Sequence, residues 1–175
     1  MAWTILIIIV IVVAAFLIFV AMKPGTFRLE RSASINAAPE KIFPLINDFH
    51  NWTQWSPFEK LDPELQRSYS GAQSGKGAVY AYRGNNKVGS GSMEIKESVP
   101  STKVMATLDF LKPFEAHNMA EFTLAPGSGG TVVTWAMFGP RPFVIKLMTT
   151  FVSMDNLVGK QFDEGLANLK RVAEA

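Results

Sequence analysis

From Trp3 to Met22 the chain reads WTILIIIVIVVAAFLIFVAM, an apolar run in which Thr4 is the one polar side chain. Coiled as a helix, these twenty residues span roughly 30 Å, the thickness of the hydrocarbon layer of a bilayer. Three readings compete. A cleaved signal peptide has a basic leader, a shorter apolar stretch and a small-x-small cleavage site. Here no Lys or Arg precedes the run, and Ala21-Met22-Lys23 makes a poor site. A buried core helix would show a polar outer face, and none is present. The run therefore reads as an uncleaved transmembrane anchor over residues 1–23, with Trp3 and Lys23 at its two interfaces. Lys23, Arg28 and Arg31 all follow the run, so the positive-inside tendency places the remainder in the cytoplasm. The absence of cysteine agrees with that side.

Residues 24–175 are enough for one domain with a real core and too few for two ordinary ones. Seventeen Lys and Arg against fifteen Asp and Glu are scattered along the chain. No basic stripe marks a nucleic-acid partner, so none is expected. Lys23-Pro24-Gly25-Thr26 is the only linker and it is short, which holds the domain close to the bilayer surface.

Alternation in Phe27–Ile35 predicts a strand. Asn36 offers a side-chain cap to a helix entered through Pro39, with Ile42, Phe43, Leu45, Ile46 and Phe49 on one side and Pro44 keeping it short. The aromatic segment His50–Phe58 predicts a second short helix or tight loop that plugs its rings into the domain. Glycine-punctuated strands follow at Leu65–Ser70, Ala78–Arg83, Gly89–Val99, Lys103–Leu111, Glu115–Ala125 and Thr131–Phe138. Gly84-Asn85-Asn86-Lys87 signals a hairpin and Lys112-Pro113-Phe114 another turn, while Gly89 and Gly91 allow the sheet to bend. After Gly139-Pro140-Arg141-Pro142, one long helix is predicted from about Phe143 to Ala173. Its apolar stripe is Leu147, Met148, Phe151, Met154, Val158, Phe162, Leu166, Leu169 and Val172. Sheet and helix must cover each other, because neither buries its apolar face alone.

This order resembles the START-like helix-grip (SRPBCC) superfamily, and within it the polyketide cyclase/dehydrase and lipid-transport family. The likeness is carried by Ser34–Phe43 (SINAAPEKIF), Trp52–Pro57 (WTQWSP), Gly75–Tyr80 (GKGAVY), Gly84-Asn85, Gly89–Met93 (GSGSM), Gly130–Trp135 (GTVVTW) and Phe162–Lys170 (FDEGLANLK). It covers nearly the whole domain, and each piece is a fold signature rather than a catalytic one. It implies an α+β helix-grip fold: a curved antiparallel β-sheet wrapped around a long C-terminal α-helix, joined here to an N-terminal transmembrane helix. It also implies an apolar pocket between sheet and helix.

Alternation then nominates the lining. Tyr80 and Tyr82 share a face, as do Met93 and Ile95, Leu108 and Phe110, Ala120 and Phe122, and Val133, Trp135 and Met137. Phe151, Met154 and Phe162 would form a lid from the helix. Each of these alone reads more simply as core. Together, methionine-rich and aromatic walls suit an adaptable binding site. Gly159 and Gly165 stand inside the predicted helix at about 1 kcal/mol each relative to Ala. Close packing, or space for a guest, would account for them.

Catalytic candidates are few. Without cysteine, thiol catalysis is excluded, and two histidines make a multi-histidine metal site improbable. No metal or cofactor is expected. His50 and His117 read as structural or surface residues, with no base assigned. Gly75-Lys76-Gly77 and Gly89-Ser90-Gly91 match no phosphate loop. Asp109, Glu115 and Glu121 are candidates for the pocket rim, and Tyr80 or Tyr82 for donating to a ligand oxygen. The leading expectation is a membrane-anchored binding module for a lipid or other hydrophobic small molecule. The alternative is a cyclase, dehydratase or isomerase acting on a polyketide-like or steroid-like substrate. A buried Asp, Glu or His beside Tyr80 or Tyr82 would favour the enzyme.

Overall fold

The computed structural model describes residues 2–112 and 115–175. Ala2–Met22 is one continuous helix, α1, whose side chains are exposed except near its C-terminal end, where Val20 is fully covered. It is long and apolar enough to cross a membrane.

Seven strands follow: β1 (Thr26–Ile35), β2 (Gln66–Gly71), β3 (Ala78–Arg83), β4 (Ser90–Val99), β5 (Lys103–Lys112), β6 (Ala116–Gly127) and β7 (Gly130–Pro140). They form one antiparallel sheet in the order β1-β7-β6-β5-β4-β3-β2. The meander β2 to β7 is thus sequential, and β1 returns to close it along β7. Register shifts at Ser90/Gly91 and Ile95/Glu97 interrupt the β4–β5 ladder. Such bulges sharpen local twist and bend the sheet. The turn expected at 112–114 falls mostly on residues 113 and 114, outside the described residues.

Between β1 and β2 lie helix α2 (Pro39–Asn47) and two 3-10 turns, Phe49–Gln54 and Pro57–Lys60. Asn36 does not cap α2. Ala38 holds the cap position without a side-chain bond, and the Asn36 amide donates to Glu174 Oε1 at 2.7 Å instead. Pro44 is accommodated inside α2, with Ile42 and Ile46 facing the core. The two turns set Trp52 and Trp55 inward, where their indole nitrogens donate to the Ile46 and Leu45 carbonyls at 2.9 and 2.8 Å. An aromatic cluster of Phe49, Trp52, Trp55, Phe122, Trp135 and Phe162 forms the centre of the core.

The single long helix expected after the sheet is divided. α3 (Phe143–Phe151) ends at Val152, whose extended backbone (φ −130°, ψ 119°) breaks the coil. Ser153 Oγ accepts from the Asn156 amide at 3.1 Å and starts a π turn, Asp155–Gly159, that leads into α4 (Lys160–Glu174). Thr149 and Thr150 bond back to the Ile145 and Lys146 carbonyls, a pairing that weakens the end of α3. The apolar stripe therefore changes partner. No α3 residue is fully buried, whereas Phe162, Leu166 and Leu169 of α4 enter the core.

α3 packs beside the end of α1. The Phe16 and Phe151 rings are 6.0 Å apart, Lys23 Nζ donates to Thr150 Oγ1 at 3.0 Å, and Lys146 Nζ to the Ala21 carbonyl at 3.0 Å. α4 lies on the sheet and is tied to β1 by Arg31, which bonds Asp155 and reaches Asp163 at 3.1 Å, and by Lys170 on the Ser34 carbonyl at 2.9 Å.

Gly165 is explained by packing. A Cβ there would stand 2.7 Å from Trp135 Cζ3 and 3.1 Å from Pro57 Cδ. The ring cannot retreat easily, because Phe162 stacks on it at 4.0 Å. Gly165→Ala gains about 1 kcal/mol of helix propensity and loses about 1–3 kcal/mol to overpacking. Urea unfolding should show a net loss of about 1 kcal/mol, while Gly25→Ala, with open space around it, should leave the midpoint unchanged. A stabilised Gly165→Ala variant would contradict this packing.

Candidate functional site

A cavity of about 440 Å³ lies between the concave face of the sheet, the 3-10 turns and the C-terminal helices. That volume suits a small organic guest. Strand register builds its floor. Tyr80 pairs with Met93, Met93 with Leu108, and Leu108 with Asn118, giving one cross-strand row. Tyr82, Gly91, Phe110 and Ala116 form the next. Gly91 has a steric role here, since a Cβ would meet the Tyr82 hydroxyl at 2.7 Å. Ala120, Trp135 and Met137 complete the floor, Trp52, Ser56, Phe58 and Glu59 one side, and Ile145, Met154, Val158 and Phe162 the cover. Leu61, Lys87 and Lys112 stand at the exposed edge.

Of the residues nominated from sequence, Tyr80, Tyr82, Met93, Leu108, Phe110, Ala120, Trp135, Met137, Met154 and Phe162 line this space. Four do not. Ile95, Phe122 and Val133 point to the same side of the sheet but are packed into the core, each at most 1% exposed. Trp52 and Trp55 abut Phe122 at 5.8 and 5.9 Å, leaving packed core. Phe151 is no lid. It is 75% exposed and faces Phe16, because the break at Val152 turns α3 away from the sheet.

The cavity also holds a polar group that alternation did not nominate. Glu59 is 8% exposed, and it accepts from the Tyr80 hydroxyl at 2.5 Å through Oε1 and from Arg67 Nε at 2.6 Å through Oε2. Arg67 also donates to the Leu65 and Glu59 carbonyls. Burial, then the bond to Glu59, pushes the Tyr80 phenol far above its ordinary range. Burial alone raises Tyr82 to about 12. Both phenols are therefore neutral near pH 7. Since Tyr80 commits its proton to Glu59, its oxygen is left to accept. The sequence signal for Glu59 was a lone acid directly after the aromatic segment Trp55-Ser56-Pro57-Phe58.

Asp109, Glu115 and Glu121 are not at the cavity. Glu121 meets Arg28 and Lys103 on the outer face, and the other two serve His117. Asp109 Oδ1 lies 2.7 Å from His117 Nδ1, and this bond, more than the Glu115 charge, raises the imidazole above its usual 6.5. The pair accordingly stabilises the fold fully below pH 6.5 and loses its contribution as pH rises through the higher folded value. Exposure keeps that contribution small. In an NMR titration, Asp109→Asn should lower the His117 midpoint; an unmoved midpoint would refute the pairing. His50 is likewise remote, bonded to Asp48 at 2.7 Å and stacked on Tyr69. Among the described residues, no cluster of three or more His, Asp or Glu is arranged to hold a metal.

Solved structures with this fold include the Chromobacterium violaceum protein CV1439 (17% identity, 87% of this chain and 99% of that one, TM-score 0.58). Aha1 from Colwellia psychrerythraea (17%, 85% and 96%, TM-score 0.56) and Ara h 8.0201 (13%, 86% and 96%, TM-score 0.55) are also similar. At such identities the likeness shows the helix-grip fold alone. No curated protein matches the chain. The sequence profile described as "Polyketide cyclase / dehydrase and lipid transport" matches residues 26–174, every element from β1 to α4, and the chain belongs to that family.

Proposed function

We propose that this protein is a membrane-anchored binding module for a lipid or other hydrophobic small molecule. Residues 1–23 would serve as the anchor and 24–175 as the ligand-binding domain. The observation that carries the reading is the 440 Å³ cavity and its predominantly apolar wall. A guest would leave the adjacent leaflet for this space, with about 0.8 kcal/mol gained for each CH₂ withdrawn from water. The contact between α3 and the end of α1 supports entry from the lipid side. Ile145 of α3 belongs to the cavity wall, and Phe143, Val144, Met148 and Phe151 on the same helix are exposed. The cations at Lys23, Arg28 and Arg31 favour a cytoplasmic domain.

Native mass spectrometry of the detergent-purified chain, with extraction and identification of bound lipid, tests this reading. A co-purifying apolar molecule is expected, and Ala120→Phe should expel it by filling the floor. Recovery of no ligand from several preparations would refute the binding role. Resistance to alkaline carbonate extraction, lost on deleting residues 2–22, tests the anchor.

One observation favours a cyclase-type or isomerase-type enzyme: Glu59 is a buried carboxylate beside Tyr80. Against it, both Glu59 oxygens are already engaged, one by the Arg67 guanidinium and one by the Tyr80 hydroxyl, rather than open to a substrate. Tyr80 has no free proton to offer an enolate. Turnover of a polyketide-like substrate, abolished by Glu59→Gln, would reverse this preference.

A further inference from the structure

The cavity has an apolar end and a polar one. Toward the packed core its wall is Trp52, Met93, Ala120, Trp135 and Phe162. At the opposite end Tyr82, Asn118 and Lys112 stand on the last rows of the floor, and Lys87 projects from the hairpin between β3 and β4. Asn118 is 9% exposed, and its carboxamide makes no hydrogen bond among the described residues. The amide is not sealed off; it opens into the cavity. The Tyr82 hydroxyl likewise has no partner among the described residues. Gly139 leaves the room in which the Asn118 carboxamide lies, as Gly91 does for the Tyr82 hydroxyl, and a Cβ at either glycine would collide with that polar group. Buried polar groups are ordinarily paired, and an unpaired one carries a penalty that a partner relieves.

The charges at this end have one sign. Lys87 and Lys112 are exposed, and neither enters an ion pair among the described residues. Asp62, the carboxylate beneath the hairpin, already accepts from the Glu64 and Asn85 amides at 3.0 and 2.6 Å. Glu59, the one acid of the wall, is held by Arg67 and Tyr80. The uncompensated charge bordering the cavity is therefore positive. We infer that the guest is a single-chain anionic amphiphile, an acyl chain ending in a carboxylate or phosphate. It enters tail first, and its head rests between Lys87 and Lys112 with the Asn118 amide and Tyr82 hydroxyl as neutral donors. This rests on the binding reading above and specifies the ligand class. The volume of about 440 Å³ has room for one chain rather than the two of a diacyl lipid. Long lysine stems reach a head at the mouth while keeping the charge in water, so the anion need not be buried without a cation.

The test uses the full chain in phosphatidylcholine nanodiscs and four probes of equal chain length: tetradecanoate, tetradecyl phosphate, tetradecanol and tetradecyltrimethylammonium. Affinities come from displacement of a bound naphthalene dye, at a pH where the acid is ionised, corrected for partition into empty nanodiscs. At least one anion should bind about tenfold more tightly than the alcohol, the worth of two solvent-exposed ion pairs. The ammonium probe should bind most weakly, and added salt should shrink the preference. Comparing tetradecanoate with tetradecyl phosphate decides which head the site takes. Lys87→Gln with Lys112→Gln should bring the anion-to-alcohol ratio toward one and leave the alcohol's affinity unchanged. Lys41→Gln with Lys76→Gln removes the same charge from exposed positions outside the cavity wall and should leave the ratio intact. Equal affinity for anions and alcohol, a preference for the ammonium, or a ratio that survives loss of Lys87 and Lys112 overturns the inference and leaves the binding role standing. Failure of all four probes to bind overturns both.

Discussion

Replacing Phe162 with alanine will destabilise the detergent-solubilised chain by about 3–5 kcal/mol, the range for a buried phenylalanine. Its ring is 2% exposed and lies nearly parallel to Trp135 at 4.0 Å. Phe162 is where α4 grips the sheet, so its loss removes apolar burial and the support that orients the cavity wall. Phe151, on the same stripe in sequence, provides the contrast. Being 75% exposed, it should cost less than about 0.5 kcal/mol on truncation, as surface positions usually do. Urea unfolding of both variants reads the difference. Comparable losses would mean that α3 packs on the sheet after all, and that the break at Val152 does not redirect it.

Arg67→Ala carries the second large effect. It strips the cation from Glu59 and leaves a buried carboxylate held by Tyr80 alone. Breaking a fully buried pair costs about 3–5 kcal/mol, mostly the penalty on the stranded charge. The Arg67 side chain is 28% exposed, so water can approach the site, and a loss of about 2–3 kcal/mol is expected. Adding Glu59→Gln should recover part of that loss, because the second change removes the charge the first one strands. A double-mutant cycle from the two singles and the double measures this coupling. If the double mutant is worse than the sum of the singles, Glu59 is not stabilised chiefly by Arg67.

Periodicity made most of the architecture legible. Alternation located β1, glycine-bounded runs located the other six strands, and the floor residues Tyr80, Met93, Leu108 and Met137 followed from counting by twos. Two things escaped it. A pattern of apolar residues at helical spacing is the same whether the helix faces a sheet or another helix, so Phe151 and Phe162 looked alike. Their separation was decided by the extended backbone at Val152 and by the nearness of α1. Alternation also specifies a face without saying how much of it is filled. Ile95 and Phe122 share a face with Tyr80 and Trp135, yet the irregular segment around Trp52 and Trp55 packs solid against one end of the sheet and leaves the other open. Glu59 lies in that same segment, where no repeat exists to predict a side chain's direction.

By itself the sequence determined the strands, the apolar length of the first helix and the sequential meander from β2 to β7, because each depends on residues close together in the chain. β1 instead pairs with β7 from the far end of the domain. Where the hollow ends and the core begins, which helix covers it, and that a glutamate and a tyrosine share its wall were decided only by tertiary packing. Those outcomes depend on volumes and hydrogen bonds contributed by segments far apart in sequence, whose sum no local pattern contains.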